Sequence, residues 1–198
     1  MLQFVTTDKS QLTAAGQARA ALAGGCRWIE LGACPDQARA AEELLPVCRD
    51  AEAFLTIDDN VDLVDELKVH GVHLSSASRE EAAAVRERLG AHAVIGVGCA
   101  TEADALALKK LDIDYISLHV EDNPDAVAAF AGIAARISAE LPGVHIVASG
   151  EFAPSTLPSL VDAGAAGVAV SQTIACADAP EAVAEEYIRI LNNAKGIG

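Results

Sequence analysis

Aromatic residues, basic charge and long apolar runs are all scarce in this chain, and each scarcity excludes something. Of its 198 residues 4% are aromatic although 52% are hydrophobic, so a core must be assembled from small aliphatic side chains. That apolar fraction is too high for a disordered chain. Lys and Arg number 14 against 29 Asp and Glu, a formal charge of −15. An excess of this sign repels phosphate backbones and anionic lipid, which argues against nucleic acid and membrane surfaces as partners. No run approaches the roughly 18 apolar residues that span a bilayer. Met1–Val5 gives way at once to Thr6, Thr7, Asp8 and Lys9, unlike a secretion leader, and the cytoplasm is the expected compartment. The five cysteines, Cys26, Cys34, Cys48, Cys99 and Cys176, are odd in number and lack CxxC spacing. They are expected to be mostly small buried hydrophobes, with neither a disulfide framework nor a structural zinc site.

What is present is a regular alternation of short apolar or β-branched runs with longer Ala-, Glu- and Leu-rich segments, the α/β signature. Strands are expected at Leu2–Thr6, Arg27–Leu31, Ala53–Ile57, Gly71–Leu74, Ala93–Val97, Ile113–Leu118, His145–Ser149 and Gly167–Val170. Helices are expected at Gln11–Ala23, Asp36–Arg49, Val61–Val69, Arg79–Leu89, Glu102–Leu111, Asp125–Glu140, Pro154–Ala163 and Pro180–Asn193. Eight such units without a linker predict a single (β/α)8 TIM barrel over residues 1–198. The competing doubly wound sheet calls for a Gly-rich turn after the first strand. Thr6-Thr7-Asp8-Lys9-Ser10 contains no glycine, whereas glycines collect late, around Gly150 and Gly167, where barrels commonly hold phosphate.

Barrel chemistry sits at the C-terminal strand ends, so the residues before each helix are the informative ones. In order they include Thr6 and Thr7, Glu30, Asp58 and Asp59, His73 and Ser75, Ser117 and His119, Ser149 and Gly150, then Ser171 and Gln172. The two-residue strand period puts Tyr115, Ser117 and His119 on one face against Ile116, Leu118 and Val120, and it sets His73 apart from Val72 and Leu74. If the apolar faces meet the helices, both histidines point into the barrel. Such a histidine either satisfies a hydrogen bond in the core or works as an acid/base. No HxH or HxxxH spacing supports a metal site. Asp58-Asp59-Asn60 reads as a helix-capping cluster, and Glu121 and Glu151 as solvated loop acids. The loop Ser149-Gly150-Glu151 and the segment Ser171-Gln172-Thr173 could offer backbone N–H groups to an anion.

Taken in order, Ile57-Asp58-Asp59-Asn60-Val61-Asp62-Leu63, Gly71-Val72-His73-Leu74, Val94-Ile95-Gly96-Val97-Gly98, Asp114-Tyr115-Ile116, Val147-Ala148-Ser149-Gly150 and Ala163-Gly164-Ala165-Ala166-Gly167-Val168-Ala169-Val170 resemble the thiamine phosphate synthase / thiazole tautomerase family. The resemblance implies a barrel that binds a thiazole phosphate. Synthase members join that thiazole to a pyrimidine diphosphate with magnesium and expel pyrophosphate; tautomerase members isomerise it with a histidine.

Against the synthase pattern, Glu30-Leu31-Gly32-Ala33-Cys34 stands for Gln-Leu-Arg-x-Lys and removes two cations. Asp58-Asp59-Asn60 stands for Asn-Asp-Arg and keeps one magnesium carboxylate, Asp59. Ser75-Ser76-Ala77-Ser78 replaces Gly-Gln-x-Asp, Glu121-Asp122-Asn123-Pro124 lies where Thr-x-Thr-Lys is missing, Gly150-Glu151 replaces Gly-Gly, and Ser171-Gln172 replaces Val-Ser. Leu118-His119-Val120 instead resembles the Gly-His-Val of tautomerases. The resulting expectation is a metal-free proton transfer on a small thiazole-type phosphate, with His119 as the acid/base. Glu30, Asp58, Asp59, His73 and Ser117 would bind substrate, and Ser149, Gly150, Ser171 and Gln172 its phosphate. No cofactor is expected, magnesium entering only if synthase activity is retained. The alternatives are a synthase with altered ligands and a non-catalytic barrel that binds a ligand or partner. Barrels often dimerise, which leaves a homodimer open.

Overall fold

The computed structural model describes residues 1–196. Eight parallel strands close into a barrel in the order of the chain, each neighbour hydrogen-bonded to the next and the last to the first. They are β1 (Leu2–Val5), β2 (Trp28–Leu31), β3 (Phe54–Asp58), β4 (Gly71–Leu74), β5 (Val94–Cys99), β6 (Tyr115–His119), β7 (His145–Ser149) and β8 (Gly167–Val170). The expected (β/α)8 barrel is therefore the fold, and no open sheet edge remains.

The helices are α1 (Ala14–Ala23), α2 (Gln37–Asp50), α3 (Val61–Leu67), α4 (Arg79–Leu89), α5 (Glu102–Ala107), α6 (Pro124–Glu140), α7 (Leu157–Asp162), α8 (Gln172–Ala175) and α9 (Pro180–Ala194). Short polar side chains start several of them. Thr13, Asn60, Ser78, Thr101 and Asn123 each accept a free first-turn N–H, and at Ser78 and Thr101 an acid three residues on completes a capping box. Three expectations need correction. Helix α5 ends at Ala107 rather than Leu111, Pro154 opens a 3-10 turn (Pro154–Thr156) before α7, and the four-residue α8 was not foreseen. A segment that short has no apolar period from which to be recognised.

Strand parity divides the interior in two. Phe4, Ile29, Leu31, Leu55, Ile57, Val72, Ile95, Val97, Ile116 and Val168 face outward, fully buried against the helices. The opposite parity fills the lumen, where Trp28, Tyr115, Val147 and Ala169 cluster. Tyr115 fits because Gly96 stands beside it on β5: a Cβ there would fall inside the tyrosine ring. Trp28 meets that ring edge-on at 4.9 Å, so the ring cannot retreat. Gly96→Ala is expected to cost about 1–3 kcal/mol of stability by overpacking, read as a lower urea midpoint at unchanged slope.

No described helix is long and apolar enough to cross a membrane.

Candidate functional site

Above the aromatic layer the lumen turns polar. His73 on β4 stacks on Tyr115 with ring centroids 5.8 Å apart and planes 11° from parallel. Its Nε2 lies 2.9 Å from Ser117 Oγ on β6, which aims the other nitrogen across the barrel. There Nδ1 meets two carboxylates, Glu30 Oε1 of β2 at 3.3 Å and Asp58 Oδ1 of β3 at 3.2 Å. Glu30 is held from behind, since Gln3 Nε2 donates to its Oε2 and also reaches Tyr115 Oη at 3.1 Å. Burial works to lower the imidazole pKa, but Glu30 and Asp58 outweigh it and raise it to about 10, so His73 is an imidazolium at neutral pH. Burial, then the Glu30 charge, pushes the Tyr115 phenol well above its usual range.

Glu30, Asp58, His73 and Ser117 are thus brought together, as one internal network rather than a ring of separate contacts. Gln3 and Tyr115, which the sequence reading did not assign to the site, complete it. The signal was present: Gln3 interrupts Leu2 and Phe4 on alternate faces, and Tyr115 shares the parity of Ser117 and His119.

The mouth lies above this network. His119 ends β6 one inward step above Ser117, exposed and paired in register with Ser149 of β7. Within the expected capping cluster it is Asn60, not Asp59, that caps α3, accepting from Leu63 N at 3.0 Å. Asp59 adopts a left-handed φ of 55° and turns its carboxylate to Ser75, accepting from the backbone N–H at 2.8 Å and the hydroxyl at 2.5 Å. Two hollows of about 410 and 430 Å³ adjoin over this rim, sharing Ala33 and Cys34. Both are of ligand size. An apolar hollow of about 420 Å³ at the other end, lined by Trp28, Phe54 and Tyr115, lies where barrels carry stability rather than chemistry.

The expected phosphate residues lie together at the ends of β7 and β8, but the backbone donors of Gly150, Ser171 and Gln172 are engaged. Gly150 N–H belongs to the sheet, donating to Ala169 O at 3.1 Å. The backbone N–H groups of Ser171, Gln172 and Thr173 converge on the Glu151 carboxylate at 3.2, 2.9 and 2.6 Å, and the Thr173 hydroxyl joins them. Glu151 is therefore no simple solvated loop acid. Its carboxylate occupies the place where successive amides receive an anion.

A model described as "Thiamine monophosphate synthase" matches residues 2–174. The chain belongs to the thiamine monophosphate synthase family. Its relatives include the thiamine-phosphate synthases of Bacteroides thetaiotaomicron, 32% identical over 207 residues with 96% of each chain covered, and of Bacteroides fragilis, 33% identical over 204 residues with 96% and 98% covered. The fold matches a thiamine phosphate pyrophosphorylase from Pyrococcus furiosus with a TM-score of 0.81 at 21% identity, covering 98% and 96% of the two chains. These family members carry the synthase name. The expected isomerase assignment draws no support from them, and the synthase alternative is the better backed.

Proposed function

We propose that the chain catalyses the group transfer of its family, joining a thiazole to a pyrimidine diphosphate and releasing pyrophosphate. The observation that carries this reading is the match to thiamine-phosphate synthases along 96% of both chains. In the transfer the carbon–oxygen bond to the diphosphate breaks and the thiazole nitrogen lone pair forms the new carbon–nitrogen bond. Positive charge develops on the pyrimidine-bearing carbon as the leaving group departs. Carboxylates at the mouth stabilise that charge, and Asp58 and Asp59 supply them. Those acids oppose a diphosphate, so a countercharge is required.

Magnesium is bound in such sites by one or two carboxylates together with substrate phosphates. Asp59 fits that role: Ser75 orients both of its oxygens and uses one acceptor position on each, which leaves others for an ion. A magnesium ion there would neutralise charge on the departing diphosphate. His119, exposed at the end of β6 with Ser149 beside it, would donate a hydrogen bond to the reacting groups.

The test is pyrophosphate release from a pyrimidine diphosphate with magnesium and either the thiazole phosphate or the thiazole alcohol. Turnover with one of them supports the reading, and release with neither ends it. His119→Asn is expected to lower kcat by about 10²-fold while KM changes little, the pattern of a group acting in the transition state. The exposed His119 ring also favours a second reading, thiazole isomerisation without metal. Proton NMR of the thiazole phosphate incubated with magnesium-free protein distinguishes the two.

A further inference from the structure

Three ligand-type atoms meet inside the barrel, one each from Glu30, Asp58 and His73, all within 4.8 Å of one another. The sequence offered no metal-ligand spacing because the three residues come from three different strands. We propose that Glu30, Asp58 and His73 form a binding site for a divalent first-row metal ion such as Mn²⁺, separate from Asp59. Spacing, charge and support each argue for it.

The imidazole nitrogen lies 3.3 Å from one carboxylate oxygen and 3.2 Å from the other. Ligands about 2.1 Å from a common ion at right angles or tetrahedral angles stand about 3.0–3.4 Å apart, so the imidazole nitrogen already stands from each carboxylate oxygen as one ligand of an ion stands from another. Charge points the same way. Among the described residues, the ion pairs of Glu30 and Asp58 are with His73 alone. Two carboxylates facing one imidazole leave a net negative charge in a largely enclosed space, whether or not the ring carries its second proton. A dication that displaces the Nδ1 proton of His73 to solvent and binds the neutral ring and both carboxylates brings the set to zero.

The supporting contacts are those of a metal site as well. Gln3 fixes the far oxygen of Glu30, and Ser117 fixes the far nitrogen of His73. The Glu30 side chain is only 5% exposed, while those of His73 and Asp58 are 15% and 17% exposed, so an ion enters from the mouth. Two carboxylates with one imidazole suit Mn²⁺ better than Mg²⁺, which favours oxygen ligands throughout. Open coordination positions would face the substrate and add positive charge to a mouth whose loops carry more acids than bases.

The experiment is titration of chelator-stripped protein with Mn²⁺ at neutral pH, following the loss of the free-ion EPR signal. A single ion per chain is expected to bind, with Glu30→Gln and Asp58→Asn each weakening it by at least about 100-fold. Asp59→Asn should leave its affinity within about twofold. In the unaltered chain, Mn²⁺ should broaden the ring resonances of His73 before those of His70, His92 and His145, a readout that needs no variant. No saturable binding by about 1 mM overturns the proposal. So does binding lost in Asp59→Asn but retained in Glu30→Gln, which would put the ion at the mouth. None of these results depends on catalytic turnover, so the proposed transfer reaction can fail while this site stands, and the reverse.

Discussion

His73→Asn in metal-free protein is expected to cost about 3–5 kcal/mol of folding stability, the usual result of removing one partner from a buried ion pair. Asparagine can still donate a hydrogen bond, but it cannot offset the charges of Glu30 and Asp58. Adding Glu30→Gln should recover part of the loss, because it removes one of the two charges left uncompensated and only that of Asp58 remains. Urea unfolding of the four chains in the double-mutant cycle measures both effects.

The same network sets a pH dependence. The folded pKa of His73, raised to about 10, lies above the ordinary value of 6.5, so its contribution is fully present below pH 6.5 and is lost as pH rises through 10. Wild-type stability should therefore decline across that window, and the decline should be much shallower in the His73→Asn/Glu30→Gln chain. A His73→Asn loss below about 1 kcal/mol, the range of an exposed pair, would show that the three groups are not coupled in solution.

The second large effect is a gain. Glu151→Gly should raise affinity for a phosphate monoester by at least about tenfold, equivalent to 1.4 kcal/mol. The Glu151 carboxylate accepts from three successive backbone N–H groups and one hydroxyl, so a phosphate arriving there must displace it. Glycine removes the internal competitor and its negative charge together. Glu151→Gln retains a side-chain oxygen at the same place and should gain much less. Calorimetric titration with inorganic phosphate and with thiazole phosphate reads both variants. Equal phosphate affinity in wild type and Glu151→Gly would mean that the carboxylate does not hold these amides against a ligand.

Much of the architecture was legible before folding was considered. Strands β4, β7 and β8 and helix α4 coincide with the expected boundaries, because the apolar period and helical composition that set them are local signals. The inward parity of His73, Ser117 and His119 was legible for the same reason. Asp59 stayed ambiguous in the sequence, either a cap or a carboxylate of the site, because an acid before a helix ordinarily caps it; its left-handed backbone and its bond to Ser75, sixteen residues on, turn it away from the helix. Glu151 was misread because nothing in its neighbourhood along the chain shows that three amides twenty residues later converge on it.

The sequence by itself determined the eight-unit barrel, the acidic surface, the polar mouth and the family resemblance, since each depends on period, composition or motif order. Tertiary structure alone decided which charges meet. Closing the barrel brought strands β2, β3 and β4 side by side, so that Glu30, Asp58 and His73 share one enclosed space, and it set Glu151 against the start of α8. Electrostatic interaction follows distance and burial rather than order along the chain, and both arise only when the sheet closes.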